Sequence, residues 1–239
     1  MIIAVVNNKG GVGKTTTVVH LAHALSRMGK RVLLVDMDGQ ANSLAHLFTE
    51  ETVTDIRTRQ NGHALPTTHH DATGVEILPL SFWKAKAADY AHAITDYAKD
   101  FDVTLIDCPP SLEARTEAAL TAADYVLIPT EPEKLSIDGI DNLLAIVPQF
   151  NVQIIGIIVT RFNKKKTAHN VWVQSLIKYY GRDLIRHYVI DSSVFPSAST
   201  NSQTAYEWSG KRKTAALEAY NAIAETMLKR AGKAEVENV

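Results

Sequence analysis

The sequence Lys9-Gly-Gly-Val-Gly-Lys-Thr-Thr16 follows the apolar run at residues 2–6 and precedes a helical pattern. A strand, a glycine-rich turn and a helix in this order form a loop whose backbone N–H groups bind phosphate oxygens. Glycine allows the tight turns that bring those N–H groups close to a ligand. The general pattern also has a glycine five residues before Gly13, where this chain has Asn8. The stretch is therefore a variant phosphate loop with an additional lysine near its start.

Two side chains of this loop have a predicted role in nucleotide binding. Lys14 is expected to reach the β- and γ-phosphates, and the Thr15 hydroxyl to complete the coordination of Mg²⁺. The alternative is a glycine-rich turn that carries two surface lysines, but the strand before it and the helix after it argue against that alternative. The predicted nucleotide-binding residues of the loop are Lys9, Gly10, Gly11, Val12, Gly13, Lys14, Thr15 and Thr16.

The composition predicts one domain in a reducing compartment. The chain has 239 residues, 46% of them hydrophobic, which is enough for one sizeable core over residues 1–239. The single cysteine, Cys108, excludes an intramolecular disulfide framework. No apolar run approaches the roughly 18 residues that span a membrane, and no basic leader precedes the first strand. We therefore expect a cytoplasmic protein without integral membrane association.

Continuous apolar runs alternate with amphipathic patterns along the chain, as residues 2–6, 31–36 and 103–107 illustrate. Runs without polar alternation are typical of parallel strands that are covered on both faces. Strands that alternate with helices form a mostly parallel, twisted sheet with helices on both faces and right-handed crossovers. The sequence therefore predicts an α/β fold of this architecture.

Three stretches are predicted to lie outside the regular elements. Residues 51–73 have weak periodicity and are interpreted as a variable surface excursion, and residues 191–204 as a polar loop. Residues 231–239 lack a core pattern and are expected to fray after a final helix over about 213–230.

The histidines give no metal-binding pattern. His20 and His23 lie one helical turn apart and are interpreted as a surface or partly buried pair. His63, His69 and His70 have no regular spacing with Cys or carboxylates, and we assign them no function.

Three carboxylates stand at strand ends, where open α/β sheets place their chemistry. Asp107 ends an apolar strand, as does a carboxylate that holds Mg²⁺ through water. Asp36 and Asp38 lie near the end of the second strand, and one of them is expected to orient an attacking water. An aspartate at a strand end is often only a turn former, but three of them with a phosphate loop disfavour that interpretation.

Several segments resemble the ParA/MinD family of deviant Walker A ATPases. The most specific is Lys9-Gly-Gly-Val-Gly-Lys-Thr-Thr-Thr17, with Lys9 at the position of the family's signature lysine. Val-Leu-Leu-Val-Asp36-Met-Asp38-Gly-Gln-Ala-Asn42 is similar to the second motif, and Leu-Ile-Asp107-Cys-Pro-Pro-Ser111 to the Walker B motif. Weaker matches are residues 128–132, residues 156–161 and the final helix. The resemblance covers nearly the full chain and favours the small ParA type without an N-terminal DNA-binding domain.

This resemblance implies a mechanism. ATP binding would bring two subunits face to face in a sandwich homodimer, with Lys9 of each subunit reaching the phosphates bound to the other. A cation in that position stabilises charge on the transferred phosphoryl group. The implied catalytic residues are Lys9, Lys14 and Asp38, and the implied magnesium region consists of Thr15, Asp36 and Asp107.

The resemblance is less specific about the base. In relatives, adenine is recognised by the loop after the sixth strand and by a later loop, which implies Arg161, Asn163 and, loosely, residues 191–196. One departure is visible: Gly39 stands where the family usually has proline. The more flexible backbone leaves the ATPase interpretation intact but the local geometry of this switch segment open.

The net charge of −1 does not by itself predict a nucleic-acid partner, but basic residues cluster in the C-terminal part of the chain. The resemblance implies non-specific DNA binding by the ATP dimer, which needs phosphate contacts and no base-reading helix. It also implies nucleoid association, positioning or partition of a plasmid, chromosome or protein cargo, and weak hydrolysis stimulated by a ParB-like partner. The candidate DNA-binding residues are Lys164, Lys165, Lys166, Lys178, Arg182, Arg186, Lys211, Arg212 and Lys213.

Two other classes of protein are less consistent with the sequence. A MinD-like membrane switch needs a basic amphipathic C-terminal helix with bulky apolar residues, but residues 229–239 have no leucine or aromatic stripe. The iron–sulfur reductases of the same superfamily use two cysteines per subunit, and Cys108 alone excludes that version. A ligase would need a substrate pocket that the sequence does not identify.

Overall fold

The computed structural model describes residues 1–60, 67–208 and 213–237, which contain eight strands in one sheet. The strands are β1 (Ile2–Val5), β2 (Val32–Asp36), β3 (Thr68–His70), β4 (Val75–Pro79), β5 (Val103–Asp107), β6 (Tyr125–Thr130), β7 (Gln153–Phe162) and β8 (His187–Ile190). Their order across the sheet is β3-β4-β2-β5-β1-β6-β7-β8. All pairs are parallel except β3–β4, which is antiparallel. The predicted mostly parallel sheet is confirmed.

Helices cover both faces of the sheet. They are α1 (Lys14–Arg27), α2 (Asn42–Leu47), α3 (Glu50–Gln60), α4 (Ala87–Ala98), α5 (Ala114–Ala122), α6 (Leu135–Ile146), α7 (Thr167–Tyr180), α8 (Val194–Thr200) and α9 (Lys213–Glu237). Within the described ranges, no helix combines the length and the apolar character that a membrane span requires.

The core has two layers because successive strand residues point to opposite faces of the sheet. Ile3 and Val5 of β1 join one layer with residues of α1, α2, α8 and α9. Ala4 and Val6 join the other layer with residues of α4, α5, α6 and α7. β1 is therefore buried on both sides, which explains its continuous apolar sequence.

The strand order places the functional loops together at the carboxyl ends of the central strands. The chain leaves β1 in one direction toward β2 and β5, and returns to the other side of β1 at β6. Ligands of open α/β sheets bind beyond the carboxyl ends of the strands at such a switch point. The loops after β1, β2 and β5 all end there.

Three sequence predictions for irregular segments were wrong. Residues 51–73, predicted as an excursion, contain most of α3 and all of β3. Residues 191–204, predicted as a polar loop, contain α8, whose Val194, Phe195 and Ala198 are buried. The final helix, expected to end at about residue 230, continues to Glu237, and fraying of the tail stays a prediction.

The α1 histidines are more deeply buried than a surface pair. His20 is fully buried; its Nδ1 donates to the Thr16 carbonyl (2.7 Å) and its Nε2 accepts from the Ala205 N–H (2.9 Å). Both ring nitrogens are thereby used by the neutral ring. Burial lowers the pKa of His20 to about 3, and the pKa values of the buried His23 and His46 to about 4. These histidines tie α1 and α2 to the C-terminal part of the chain.

The lowered pKa of His46 predicts a measurable acid sensitivity. The unfolded state binds a proton below about pH 6.5 and the folded state does not, so stability falls as pH drops. Between pH 7.5 and 5.5 this one group contributes a loss of about 1.4 kcal/mol in the free energy of unfolding. We expect the His46→Gln variant to lack this part of the loss in urea unfolding without nucleotide.

Comparing each variant with wild type at both pH values cancels the contribution of every titrating group that the substitution leaves unchanged. His92→Gln, which replaces an exposed histidine on α4, is the matched control and should keep the full pH dependence. Equal pH dependence in His46→Gln and wild type would contradict the buried neutral state.

Candidate functional site

The phosphate loop connects β1 to α1 and contains two residues in the left-handed region. Gly11 and Gly13 have φ of +79° and +87°, which glycine adopts without strain. The Thr160 hydroxyl on β7 donates to the Val12 carbonyl (2.8 Å) and ties the loop to the sheet. The loop therefore presents its backbone at the N-terminus of α1, the position at which helices bind anions.

Asn7 holds the start of the loop, a role that the sequence analysis missed. Its Nδ2 donates to the Pro129 carbonyl at the end of β6 (2.8 Å), and its Oδ1 accepts from the Lys9 N–H (2.9 Å). A polar residue directly after the apolar run at residues 2–6 was the available indication.

Lys14 lies inside the loop. Its Nζ donates to the carbonyls of Asn7 and Lys9, at 3.0 Å each. Burial lowers the pKa of Lys14, and the nearby Asp107 carboxylate opposes that shift. The cation is thus held at the centre of the loop, where nucleotide phosphates are cradled in such sites.

Asp36 and Asp107 lie side by side at the ends of β2 and β5 and are fully buried. The hydroxyls of Thr15 and Ser43 donate to Asp107 Oδ2 at 2.8 and 2.6 Å, and the Leu44 N–H donates to Asp36 Oδ2 at 3.0 Å. Burial raises the pKa of Asp107 to about 6. Burial and the neighbouring Asp107 raise that of Asp36.

The remaining oxygens of this pair test whether a cation fits. Asp36 Oδ1 and Asp107 Oδ1 are buried without a hydrogen-bond partner. Two adjacent buried carboxylates with unpaired oxygens, beside the Thr15 hydroxyl, are the hard oxygen donors that Mg²⁺ prefers. Within the described ranges, no group of three or more His, Cys, Asp or Glu could hold a metal by itself. The arrangement fits an ion completed by phosphate oxygens and water.

Asp38 stands in the turn after β2, which we call the switch turn (residues 37–42). Its Oδ1 accepts from the Gln40 N–H (3.0 Å), and its Oδ2 accepts from Asn42 Nδ2 (3.1 Å). Ala41 is in the left-handed region with φ of 52°. The Asp38 side chain is therefore held by its own turn and not by the buried pair.

Two cations at the site are paired with the loop after β6. Lys9 Nζ forms an ion pair with Glu133, and Arg161 Nη1 donates to Glu131 Oε1 (2.8 Å). The Lys9 side chain is 32% exposed, whereas Lys14 is buried. The two lysines of the phosphate loop thus have different surroundings.

A cleft of about 710 Å³ adjoins the phosphate loop. Gly13 and Thr16 line it together with Arg161 and most of residues 191–196, the segments named for adenine. Asn163 is not among the lining residues, and its Oδ1 accepts from the Lys165 N–H (3.0 Å). Two further cleft residues, His46 and Tyr220, are distant in sequence and were not predicted.

Only some of the candidate DNA-binding residues lie near one another in the described part of the chain. Lys164, Lys165 and Lys166 are exposed before α7, and Lys178 and Arg182 are exposed at its end. Arg186 is also exposed, and its Nη2 donates to Asp183 Oδ1 at 2.5 Å. Lys211 and Arg212 lie outside the described residues, as does His63, and Lys213 begins α9.

A buried loop lysine and paired carboxylates at the switch point of a parallel sheet define a P-loop nucleotide-binding protein. The family model described as an AAA domain matches residues 1–158. The chain is 36% identical over 173 residues to the chromosome-partitioning ATPase Soj of Thermus thermophilus, covering 67% of this chain and 69% of that protein. The chain belongs to the ParA/MinD family of deviant Walker A ATPases, which act in partition or positioning.

Solved structures agree with this fold. The septum site-determining protein MinD of Pyrococcus horikoshii, complexed with Mg-ADP, has a TM-score of 0.79 at 24% identity, with 97% of each chain covered. Cobyrinic acid a,c-diamide synthase of Mycobacterium smegmatis, with bound ADP and magnesium, has a TM-score of 0.75 at 25% identity, covering 97% of this chain and 95% of that chain. The fold is therefore shared by proteins with different names and activities, and the function has to be argued from the site.

Proposed function

We propose that this chain is a ParA-type ATP hydrolase that partitions or positions a cargo through an ATP-dependent, DNA-binding homodimer. The proposal rests on one observation: the unpaired oxygens of Asp36 and Asp107 lie next to the phosphate loop, at the carboxyl ends of the central strands. The relatives' names supply the cargo class, and residues 1–239 act as one ATPase domain.

The loop residues and the carboxylates are proposed to bind different parts of Mg-ATP. Residues 9–16 would cradle the phosphates of ATP, with the Lys14 cation against the β- and γ-phosphates. Thr15, Asp36 and Asp107 would hold Mg²⁺, which when bound neutralises charge on the β- and γ-phosphates. Arg161 and residues 191–196 line the adjoining cleft and are proposed for the adenosine moiety; Asn163 is a weaker candidate.

Hydrolysis is proposed to need the second subunit. Lys9 is partly exposed and is held by an ion pair with Glu133 of its own subunit. In the ATP dimer Lys9 would exchange this carboxylate for the phosphates bound to the other subunit, where its charge stabilises the transition state. Hydrolysis by the dimer alone is expected to be weak and to be stimulated by a ParB-like partner.

DNA binding is proposed for the basic surface around α7. The exposed basic residues there are Lys164, Lys165, Lys166, Lys178, Arg182 and Arg186, and a dimer doubles this positive surface. Such contacts go to phosphates and give affinity without sequence specificity. This property would place the protein on the nucleoid in the cytoplasm. Lys211, Arg212 and Lys213 remain candidates from the sequence.

DNA binding by the purified protein is the direct test. We expect binding with Mg²⁺ and ATP but not with ADP or without nucleotide, and affinity that falls steeply with salt because counterions are released. Lys164→Glu with Lys165→Glu should weaken binding and lower the slope of log K against log salt by about 1 per lost contact, with ATP affinity unchanged.

Two exposed lysines at a distance give the matched control. Lys30→Glu with Lys99→Glu makes the same change of charge outside this surface and should alter DNA affinity much less. Arg212→Glu with Lys213→Glu tests the C-terminal candidates in the same assay. Absence of binding in every nucleotide state would reject the DNA proposal and leave the ATPase site intact.

A further inference from the structure

Arg115, the second residue of α5, contacts the switch turn from outside the family motifs. Its Nη1 donates to the Met37 carbonyl (3.0 Å) and its Nη2 to the Trp83 carbonyl (3.1 Å). We propose that Arg115 is a positioning residue that fixes the switch turn and thereby the Asp38 carboxylate for hydrolysis. This inference rests on the proposed function, in which Asp38 supports hydrolysis.

The contact is made at the peptide that leads into Asp38. Met37 is fully buried, and its N–H donates to the Asp107 carbonyl (3.1 Å). Its carbonyl belongs to the Met37–Asp38 peptide, whose plane is rigid. A donor that holds this carbonyl therefore also fixes the orientation of the Asp38 backbone, and Arg115 supplies that donor.

The guanidinium is itself held in place. Besides the Trp83 carbonyl, it lies over the ring of Tyr90, with 5.5 Å between its central carbon and the ring centroid. The Tyr90 hydroxyl donates to the same Trp83 carbonyl. The planar fork of arginine suits two fixed carbonyls, whereas lysine has a single point charge on a flexible stem.

The position of Arg115 on α5 also favours a specific role. A cation in the first turn of a helix is disfavoured by the helix dipole. In the described part of the chain, Arg115 forms no ion pair that would offset this, and its donors are directed to backbone carbonyls. Local helix stability therefore does not explain why an arginine occupies this position.

Gly39 explains why such a restraint is useful here. Glycine is more flexible than the proline that the family usually has after the second aspartate. Gly39 is not in the left-handed region, and a Cβ built on it would lie 3.5 Å from Arg115 Nη1. Arg115 thus packs against the flexible residue itself and restrains the turn from outside.

The first readout is hydrogen exchange of the nucleotide-free protein. The Gln40 and Ala41 N–H groups are bonded within the turn, to Asp38 Oδ1 (3.0 Å) and the Asp38 carbonyl (2.8 Å). Arg115→Leu keeps an apolar stem and removes the donors, so these amides should exchange about tenfold faster while β1 and β5 amides do not change. Arg57→Leu, which removes another arginine stacked on an aromatic ring, is the matched control.

The second readout is hydrolysis. Arg115→Leu should lower kcat by about 10- to 100-fold, the scale expected for a misplaced catalytic group, with KM for ATP within about 2-fold. Arg115→Lys should be intermediate. Gly39→Pro introduced into Arg115→Leu should restore most of kcat and slow the exchange of Gln40 and Ala41, because it stiffens the same turn.

The outcomes separate this inference from the proposed function. Unchanged exchange in the switch turn, or faster exchange throughout the sheet, would overturn the positioning role. Failure of proline to rescue kcat or exchange would also count against it. A wild-type protein that hydrolyses no ATP would defeat the proposed function, whereas an Arg115 effect on exchange would still support control of the turn.

Discussion

Lys9→Ala is expected to abolish ATP hydrolysis and ATP-dependent dimer formation while substantial ATP binding remains. A cation supplied to a phosphoryl group from a partner subunit accelerates transfer by about 10³- to 10⁵-fold in related chemistry. Loss of Lys9 should therefore reduce kcat by at least about 10³-fold, to the limit of detection.

The surroundings of the two loop lysines support this division of roles. Lys14 is buried and bonded to the Asn7 and Lys9 carbonyls, so its charge serves its own subunit. Lys9 is 32% exposed and its partner is the Glu133 carboxylate. Both side chains of this half-buried pair reach solvent, where an ion pair contributes only about 0–1 kcal/mol, so the Lys9 side chain can be released when phosphates of a second subunit approach.

Three measurements separate binding from dimer formation. Equilibrium binding of a fluorescent ATP analogue, light scattering with and without ATP, and phosphate release should be compared for wild type and Lys9→Ala. Glu133→Gln removes the competing carboxylate, so its dimer should form at a lower ATP concentration than the wild-type dimer. Lys30→Ala is the surface-lysine control. A Lys9→Ala variant that hydrolyses ATP at the wild-type rate would eliminate the cross-subunit proposal.

The fold was predictable because most of its strands and helices have a recognisable local sequence pattern. A buried parallel strand has a continuous apolar sequence, and β1, β2 and β5 are such runs. The elements that were missed have weak patterns. In α3 only Ile56 and Gln60 are buried, and it carries acids in its first turn and basic residues in its last. In α8 a serine- and proline-containing segment becomes helical where Phe195 packs against His20 and Tyr220.

The site was predictable only as far as its residues lie in motifs. The proximity of Asp36 and Asp107 follows from the rule for strand ends, and the register of β2 and β5 pairs them directly. The hydrogen bond from Ser43 and the ion pair of Lys9 with Glu133 depend on how distant loops pack. Spacing along one sequence does not contain this information.

Asp38→Ala is expected to slow hydrolysis by about 10²- to 10⁴-fold, the usual contribution of a group that activates or orients a nucleophile. Asp38 is bonded within its own turn and is separate from the Asp36–Asp107 pair. Its loss should therefore leave the proposed magnesium and phosphate contacts in place, and the ATP dimer should accumulate. Phosphate release and light scattering after addition of ATP measure the two effects.

Matched variants distinguish this role from a general loss of structure. Asn42→Ala removes the hydrogen bond from Asn42 Nδ2 to Asp38 Oδ2 and should give an intermediate rate. Asp55→Ala removes an exposed aspartate on α3 that pairs with Arg59, and should leave the rate unchanged. A monomeric Asp38→Ala protein in saturating ATP would contradict the assignment.

The double variant Lys9→Ala/Asp38→Ala connects the two predictions. If Asp38 acts only after the dimer has formed, its removal cannot restore an interface that needs Lys9. The double variant should then bind ATP, remain monomeric and hydrolyse no ATP, whereas Asp38→Ala alone remains a stable dimer. A dimeric double variant would mean that Lys9 serves catalysis without holding the subunits together, because slow hydrolysis alone would then be sufficient to trap the ATP dimer.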